Sequence, residues 1–179
     1  MKVFLPFVAD GFEWVKCIDS RGEEPVLSFD GARLGGRWDP LRVRIIREDE
    51  GMEFATSDFP WWGAHALVMR SHAVDVLRDM LDSCGEVLPL RNGDGQGLYV
   101  FNASAVDGLD EQRSCVLRFG DGRIMHIEKP EFLVDVIAGL DLFRLPHRAS
   151  PTYVSERFVR RVCQERLVGL EFNEVWGSD

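Results

Sequence analysis

The sequence has little positive charge, no long apolar run and few cysteines, and each shortage excludes a class of protein. It carries 21 basic against 30 acidic side chains, a net charge of -9, and only three of the cations are lysines. Because neutralising a phosphate backbone requires a basic face, this balance argues against binding to nucleic acid. No segment approaches the roughly 18 apolar residues that a membrane-spanning helix needs. We therefore expect neither a nucleic-acid partner nor a membrane partner.

The cysteines and the N-terminal segment predict a cytoplasmic location. The cysteines are widely spaced, without a C-x-x-C pair, and are expected to be reduced in a chain long enough to bury its own core. Residues 3–9 are apolar but interrupted by Pro6 and followed by acidic residues, which favours a buried first strand over a signal peptide.

No catalytic or metal-binding motif is present. The glycine-rich segment 93–97 lacks the Lys-Ser/Thr of a phosphate-binding loop and opens a strand. The histidines have no H-E-x-x-H arrangement and no ligand spacing within a helix; they are His65, His72, His126 and His147. His126 alternates with apolar neighbours and is expected to be partly buried. No G-x-S-x-G elbow occurs. We expect no catalytic residue, no cofactor and no metal.

Two amphipathic helices are the clearest local features. Apolar residues recur every three to four positions over about 71–83 and again over about 155–167. Ser71 and Ser155 are expected to cap these helices, because a serine hydroxyl accepts a bond from a free amide of the first turn. Gly85 and Gly169 are expected to end them.

The rest of the chain is typical of short strands and turns. Eight segments have strand patterns: 3–8, 41–46, 86–90, 98–101, 115–119, 123–127, 142–145 and 170–172. Residues 25–29 continue the strand-and-turn pattern of the first 60 residues, and residues 132–138 fit either a short helix or a strand. Two helices and about eight strands predict an α+β fold with mixed or mainly antiparallel sheets.

Two groups of residues are candidates for contact with a partner. The first is an acidic turn, whose carboxylates would complement a basic protein: Glu48, Asp49, Glu50 and Glu53. The second is Trp61 and Trp62, which have the large apolar faces that anchor interfaces, although at least one is expected in the core. Residues 107–111 form another acidic turn. Plain solubility explains both acidic turns equally well.

A series of short motifs extends over roughly two-thirds of the chain. The motifs are S-D-F-P at 57–60, A-L-V-M-R-S at 66–71, V-x-x-L at 74–77, E-V-L-P-L at 86–90, G-L-Y-V-F-N at 97–102, L-D at 109–110 with Ser114, D-L-F-R-L at 141–145, Y-V-S at 153–155 with Phe158, and G-L-E-F at 169–172. Their order resembles the bacterial polymorphic-toxin immunity proteins typified by the Myxococcus immunity domain, formerly catalogued as a domain of unknown function.

The resemblance implies a cytoplasmic antitoxin that binds a cognate toxin domain, one with a basic surface, and blocks it stoichiometrically without catalysis. It supplies no catalytic residues, and the recurring positions are interpreted as fold-forming. Residues 1–56 contain no family motif, so specificity for the partner is expected there. We divide the chain into an N-terminal strand and loop region, 1–60, and a family-like α+β core, 61–179, within one compact unit. A separate subdomain for 1–60 is the alternative.

Two other functions remain open from the residues. One is a non-catalytic ligand- or peptide-binding module associated with a secretion or regulatory system, which a deep apolar pocket with a few polar groups would favour. The other is an enzyme whose carboxylates or histidines converge only in three dimensions, which strongly perturbed groups in a cleft would favour.

Overall fold

The computed structural model describes residues 1–178, which form four helices and fourteen strands. The helices are α1 (Glu24–Leu27), α2 (Ser71–Cys84), α3 (Val134–Ile137) and α4 (Glu156–Gln164), with a 3-10 turn at Gly35–Arg37. The strands are β1 (Lys2–Val8), β2 (Trp14–Cys17), β3 (Arg42–Ile46), β4 (Glu48–Asp49), β5 (Met52–Glu53), β6 (Val68–Arg70), β7 (Gly85–Pro89), β8 (Arg91–Asn92), β9 (Leu98–Ala103), β10 (Cys115–Arg118), β11 (Ile124–Lys129), β12 (Leu142–Phe143), β13 (Tyr153–Ser155) and β14 (Leu170–Gly177).

The largest sheet joins the two ends of the chain. Its four antiparallel strands lie in the order β12-β13-β1-β14. Strand β1 pairs along its whole length with β14, from Lys2 opposite Gly177 to Val8 opposite Leu170. The first strand therefore lies inside a sheet whose other strands come from residues 142–177.

The remaining strands form two three-stranded sheets and two hairpins. One sheet is antiparallel, in the order β6-β9-β7, and the other is mixed, in the order β2-β3-β8. The hairpins are β4–β5 and β10–β11. The predicted α+β fold, with mixed or mainly antiparallel sheets and two principal amphipathic helices, is confirmed.

Three apolar clusters fill the spaces between these elements. In the first, α2 packs against the β6-β9-β7 sheet and against β12, and α4 packs against β13 and β1, with Leu77 and Phe158 fully buried. The second lies between the two three-stranded sheets. The third lies under the β10–β11 hairpin, where Phe132 packs edge-on against Phe143 and Tyr153.

The two serine caps behave differently. Ser155 caps α4 as predicted, accepting a bond from the amide of Phe158 at 3.1 Å. The prediction for Ser71 is wrong by one residue, because Ser71 is already helical and Arg70 occupies the cap position without a side-chain cap. Strand β6 pairs with β9 through Arg70, opposite Leu98, and the helix begins directly after it, so the extended backbone ends one residue earlier than the pattern indicates.

The end of α4 also differs from the prediction. The helix ends at Gln164, and Arg166, with φ of 55°, rather than Gly169 is the left-handed residue that terminates it. The amide of Leu167 then bonds to the carbonyl of Val162 at 3.0 Å, the closure of a Schellman motif. Gly169 instead allows the backbone to lie close to Ser57, since a Cβ there would collide with the hydroxyl of Ser57.

Three further expectations are corrected or resolved. Residues 25–29 do not form a strand, because Pro25 lies in the first turn of α1, where proline is favourable. Residues 132–138 contain the short helix α3. His126 is exposed rather than partly buried, in a strand of the β10–β11 hairpin whose residues are mostly exposed.

Candidate functional site

The acidic turn folds into the β4–β5 hairpin, which follows directly on β3. Glu48 lies opposite Glu53 in the hairpin. The turn residues Glu50 and Gly51 have φ values of 49° and 79°, as a tight two-residue hairpin turn requires. Residues 48–53 are all exposed, so the structure brings the four predicted carboxylates together on one small surface, which we call the acidic hairpin.

The acidic hairpin carries its charge without a nearby counter-ion in the described part of the chain. None of its carboxylates lies within 4.0 Å of a cationic group in residues 1–178. Like charges directly opposite each other destabilise a hairpin, so Glu48 and Glu53 are unfavourable to the free protein. A basic surface placed against the acidic hairpin would relieve that repulsion.

The other acidic turn is used within the fold. The carboxylate of Asp110 accepts bonds from the amides of Gln112 and Arg113, both at 3.2 Å. Glu111 forms an ion pair with Arg118. These contacts leave the acidic hairpin as the better candidate for a partner.

A buried carboxylate fixes the base of the acidic hairpin. Glu13 is 0% exposed and accepts bonds from the amide of Ser57 at 3.0 Å, from Nε of Arg70 at 3.2 Å and from Nε of Arg47 at 3.1 Å. Arg47 directly precedes the hairpin and also forms an ion pair with Asp94 at 2.7 Å. Its hydrogen bonds to Asp94 and Glu13 raise the pKa of Arg47, so the cation is firmly held.

The two tryptophans lie in different environments. Trp62 is 7% exposed and belongs to the second apolar cluster, with its indole nitrogen donating to Glu23 at 2.9 Å. At least one tryptophan of this pair was expected in the core, and Trp62 is that residue. Trp61 is half-buried, and its carbonyl accepts a bond from the amide of Val15 at 2.7 Å. Of the two tryptophans, only Trp61 therefore remains a candidate for direct contact with a partner.

Trp61 borders an apolar groove of about 460 Å³ that the sequence did not reveal. The side chain of Phe7 is 38% exposed at its edge. The other lining residues are Leu5, Pro6, Ala64, Phe172 and Asn173. Alternation along β1 identifies Phe7 as a strand residue but does not show that part of this strand remains uncovered.

Strand β2 connects the acidic hairpin to the Trp61 groove. Trp14 pairs with Ile46, the last residue of β3 before the hairpin segment, and forms an isolated bridge with Trp61. Both candidate surfaces are thus attached to one strand of the N-terminal region. The acidic hairpin supplies charge and the Trp61 groove supplies apolar area, and protein–protein interfaces use both.

The described residues also bear on metal sites and membrane-spanning helices. No group of three or more histidine, cysteine or acidic side chains in residues 1–178 could hold a metal ion. Within the same range, no helix is long and apolar enough to cross a membrane.

Comparison with known proteins finds one family model that matches the C-terminal half. Residues 93–176, slightly less than half of the chain, match the model described as Immunity protein family (Imm11). This match confirms the resemblance to an immunity protein family. Residues 57–92, where the resembling motifs begin, lie outside it. No curated protein matches the chain significantly.

Proposed function

We propose that this protein is an immunity protein that neutralises a cognate secreted bacterial toxin by direct, stoichiometric binding. The observation that carries the proposal is the match of residues 93–176 to an immunity protein family. Protection by occlusion needs a complementary surface and no chemistry of its own, so the proposed mechanism has no catalytic step. It acts in the cytoplasm as part of a polymorphic toxin system, where an incoming toxin domain would meet its target.

The proposed encounter is guided by charge. The acidic hairpin presents uncompensated carboxylates on a base held by Glu13, and the whole chain carries a net charge of -9. Such a field accelerates association with a basic surface and fixes its orientation, and salt screens it over about 8–10 Å. A toxin with a basic surface is therefore the partner that these charges favour.

Neutralising the acidic hairpin tests this step. In a variant with Glu48→Gln, Asp49→Asn, Glu50→Gln and Glu53→Gln, we expect slower toxin association and a weaker dependence of the rate on salt, with little change in dissociation. A matched control removes four exposed carboxylates that form no ion pair in the described residues: Asp82→Asn, Asp107→Asn, Asp135→Asn and Glu165→Gln. Equal effects of the two variants would show that only net charge matters and that the acidic hairpin is not the contact.

The proposed complex is held by the Trp61 groove. Truncating a tryptophan at the centre of an interface typically accelerates dissociation about tenfold or more, and we expect this of Trp61→Ala. Because the fold uses the backbone of Trp61 for its contact with β2, the truncation leaves that bond in place. Phe119→Ala is the control, since Phe119 is 47% exposed on the β10–β11 hairpin, outside the groove. If both variants dissociate like the wild type, Trp61 does not anchor the complex.

Co-expression tests the function itself. The toxin domain is sought in the open reading frame adjacent to this gene, as the variable C-terminal domain of a large secreted protein. Cells that express that domain should survive only when this protein is present, and the two proteins should co-purify. Failure of both rescue and co-purification would refute the proposed function.

A further inference from the structure

A cavity of about 290 Å³ brings together three of the four histidines of the chain. It lies between β11 and the loop that follows β12. His65, His126 and His147 line it, together with Arg148 and the phenol-bearing Tyr153. The remaining wall is largely apolar and consists of Leu5, Ala64, Ile124, Met125, Ile127, Ala149 and Pro151.

The lining of this cavity contains basic but no acidic side chains. The chain carries a net charge of -9, yet no aspartate or glutamate lines the cavity. The nearest acidic influences come from Glu23, which acts on His65, and from Glu24, which is paired with Arg148 outside the lining. An anion inside the cavity would therefore meet basic groups without meeting a carboxylate.

A buried cation behind the cavity strengthens this field. Arg144 is 1% exposed, and its only side-chain hydrogen bond in the described residues runs to the carbonyl of Ser150, at 2.7 Å. No carboxylate in residues 1–178 lies within 4.0 Å of its guanidinium, although the charge of Asp30 acts on it from farther away and the centre of the Phe29 ring lies 5.9 Å from it. Buried charges are normally paired, and burial lowers the pKa of Arg144 to about 10. Its charge also acts on both His65 and His147.

Two of these histidines, His65 and His147, each have a ring nitrogen that forms no hydrogen bond. Nε2 of His65 and Nε2 of His147 are buried without a hydrogen-bond partner. Nδ1 of His147 lies 3.1 Å from the carbonyl of Arg148, and a carbonyl only accepts, so Nδ1 carries the proton and Nε2 is the nitrogen that titrates. Burial lowers the pKa of both histidines, against smaller raising effects of Glu23 on His65 and of the carbonyl of Arg148 on His147, and the charge of Arg144 lowers both further. Both rings are thus largely neutral at pH 7 and able to take up protons when an anion arrives.

We propose that this cavity binds a compact carboxylate with an apolar body, whose negative charge is balanced by proton uptake on His65 and His147. This site goes beyond the proposed toxin-neutralising function and does not depend on it. The volume lies near the lower end of the roughly 300–1,000 Å³ typical of small-molecule sites, which limits the ligand to a small organic acid. The apolar wall favours such an acid over inorganic phosphate.

Proton uptake makes a specific prediction about pH. Between the histidine pKa values of the free and the bound protein, each proton taken up tightens binding about tenfold per pH unit as the pH falls. Binding of the acid should therefore strengthen from pH 8 to pH 6, a range in which its own carboxylate stays ionised. Arg144, Arg148 and Tyr153 keep their protonation states over this range.

The test uses benzoate as the probe on the full-length protein, with the histidine ring signals followed by NMR. We expect saturable shifts of His65 and His147, tighter binding at pH 6 than at pH 8, and binding of the neutral isostere benzamide at least about tenfold weaker. His65→Gln and His147→Gln should weaken benzoate binding and reduce its pH dependence. His72→Gln, an exposed histidine of α2, should change neither.

Four results would overturn the proposal. They are the absence of saturable shifts, benzamide binding as tightly as benzoate, phosphate binding as tightly as benzoate, and benzoate affinity independent of pH. All four are measured on the wild-type protein, so the test does not depend on the variants folding. Inhibition of the toxin is not measured, so failure of this proposal leaves the proposed function untouched.

Discussion

Replacing Glu13 by glutamine removes the charge at the base of the acidic hairpin while preserving the shape of the side chain. Glu13 is fully buried, and two guanidiniums converge on it. Arg70 is itself mostly buried, with 11% of its side chain exposed, whereas Arg47 is 45% exposed. The substitution therefore leaves one buried cation without its carboxylate and one exposed cation that water can solvate.

The magnitude follows from that difference in exposure. Removing one member of a buried ion pair typically costs about 3–5 kcal/mol, because the remaining charge stays buried and unpaired. Arg70 retains bonds to the carbonyl of Ser57 at 2.8 Å and to the side chain of Gln96 at 2.7 Å. The loss of the exposed Arg47 contact adds little. We expect Glu13→Gln to cost about 3 kcal/mol, the low end of this range, out of the roughly 5–15 kcal/mol that stabilises a typical domain.

Urea unfolding followed by tryptophan fluorescence measures this cost. The matched control is Glu174→Gln, which removes the carboxylate of an exposed ion pair with Lys2, whose side chains are 43% and 49% exposed. The control should leave the urea midpoint almost unchanged. A loss below about 1 kcal/mol for Glu13→Gln, the size of a typical surface substitution, would refute the reasoning that this carboxylate fixes the hairpin.

Three further substitutions test other local arguments. Ser155→Ala should destabilise the protein by about 1 kcal/mol, as loss of a helix cap does, whereas Ser71→Ala, which removes no cap, should change the urea midpoint little. Gly169→Ala should be more destabilising than Gly11→Ala, because both have positive φ but only the alanine at 169 meets a neighbour. Hydrogen bonds from the Arg21 side chain and from backbone amides hold the pKa of Asp19 far below its usual value. Its stabilisation is therefore present above about pH 4 and lost as the pH falls further, so Asp19→Asn should lower the urea midpoint at pH 6 more than at pH 2.5.

Each of these substitutions has an outcome that would contradict it. Equal midpoints for the two serine variants would mean that the Ser155 cap is energetically neutral. Equal losses for the two glycine variants would mean that the close approach to Ser57 relaxes freely. A constant effect of Asp19→Asn across the pH range would show that its carboxylate has the same pKa in the folded and unfolded chain.

The helices and the longer strands were predictable because their patterns are local. Spacing of apolar residues located α2 and α4, alternation located β3, and the turn residues 120–122 between two strand-like segments located β10 and β11. The two-residue strands β4, β5 and β8 were not separable by pattern, because alternation needs more residues to be visible. The pairing of β8 with β3 depends on a partner distant in sequence, as does the place of β1 beside β14.

The candidate site was predictable only in part. The charges of the acidic hairpin and the aromatic character of Trp61 are visible in the sequence. The contacts that hold the acidic hairpin in place are not. Glu13 lies in a mixed segment that looks solvated, and nothing local shows that Arg47 and Arg70 meet on it. The histidine cavity is likewise invisible, since His65, His126 and His147 come from three separate parts of the chain.

The central claim, inhibition by stoichiometric binding, is tested most directly by titrating the activity of the purified toxin domain with this protein. At toxin concentrations well above the dissociation constant, we expect activity to fall linearly and reach zero at one equivalent, with a one-to-one complex by light scattering. Toxin activity that is unchanged by an excess of this protein would contradict the claim. Activity that falls with time at substoichiometric amounts would also contradict it, because it would indicate catalysis.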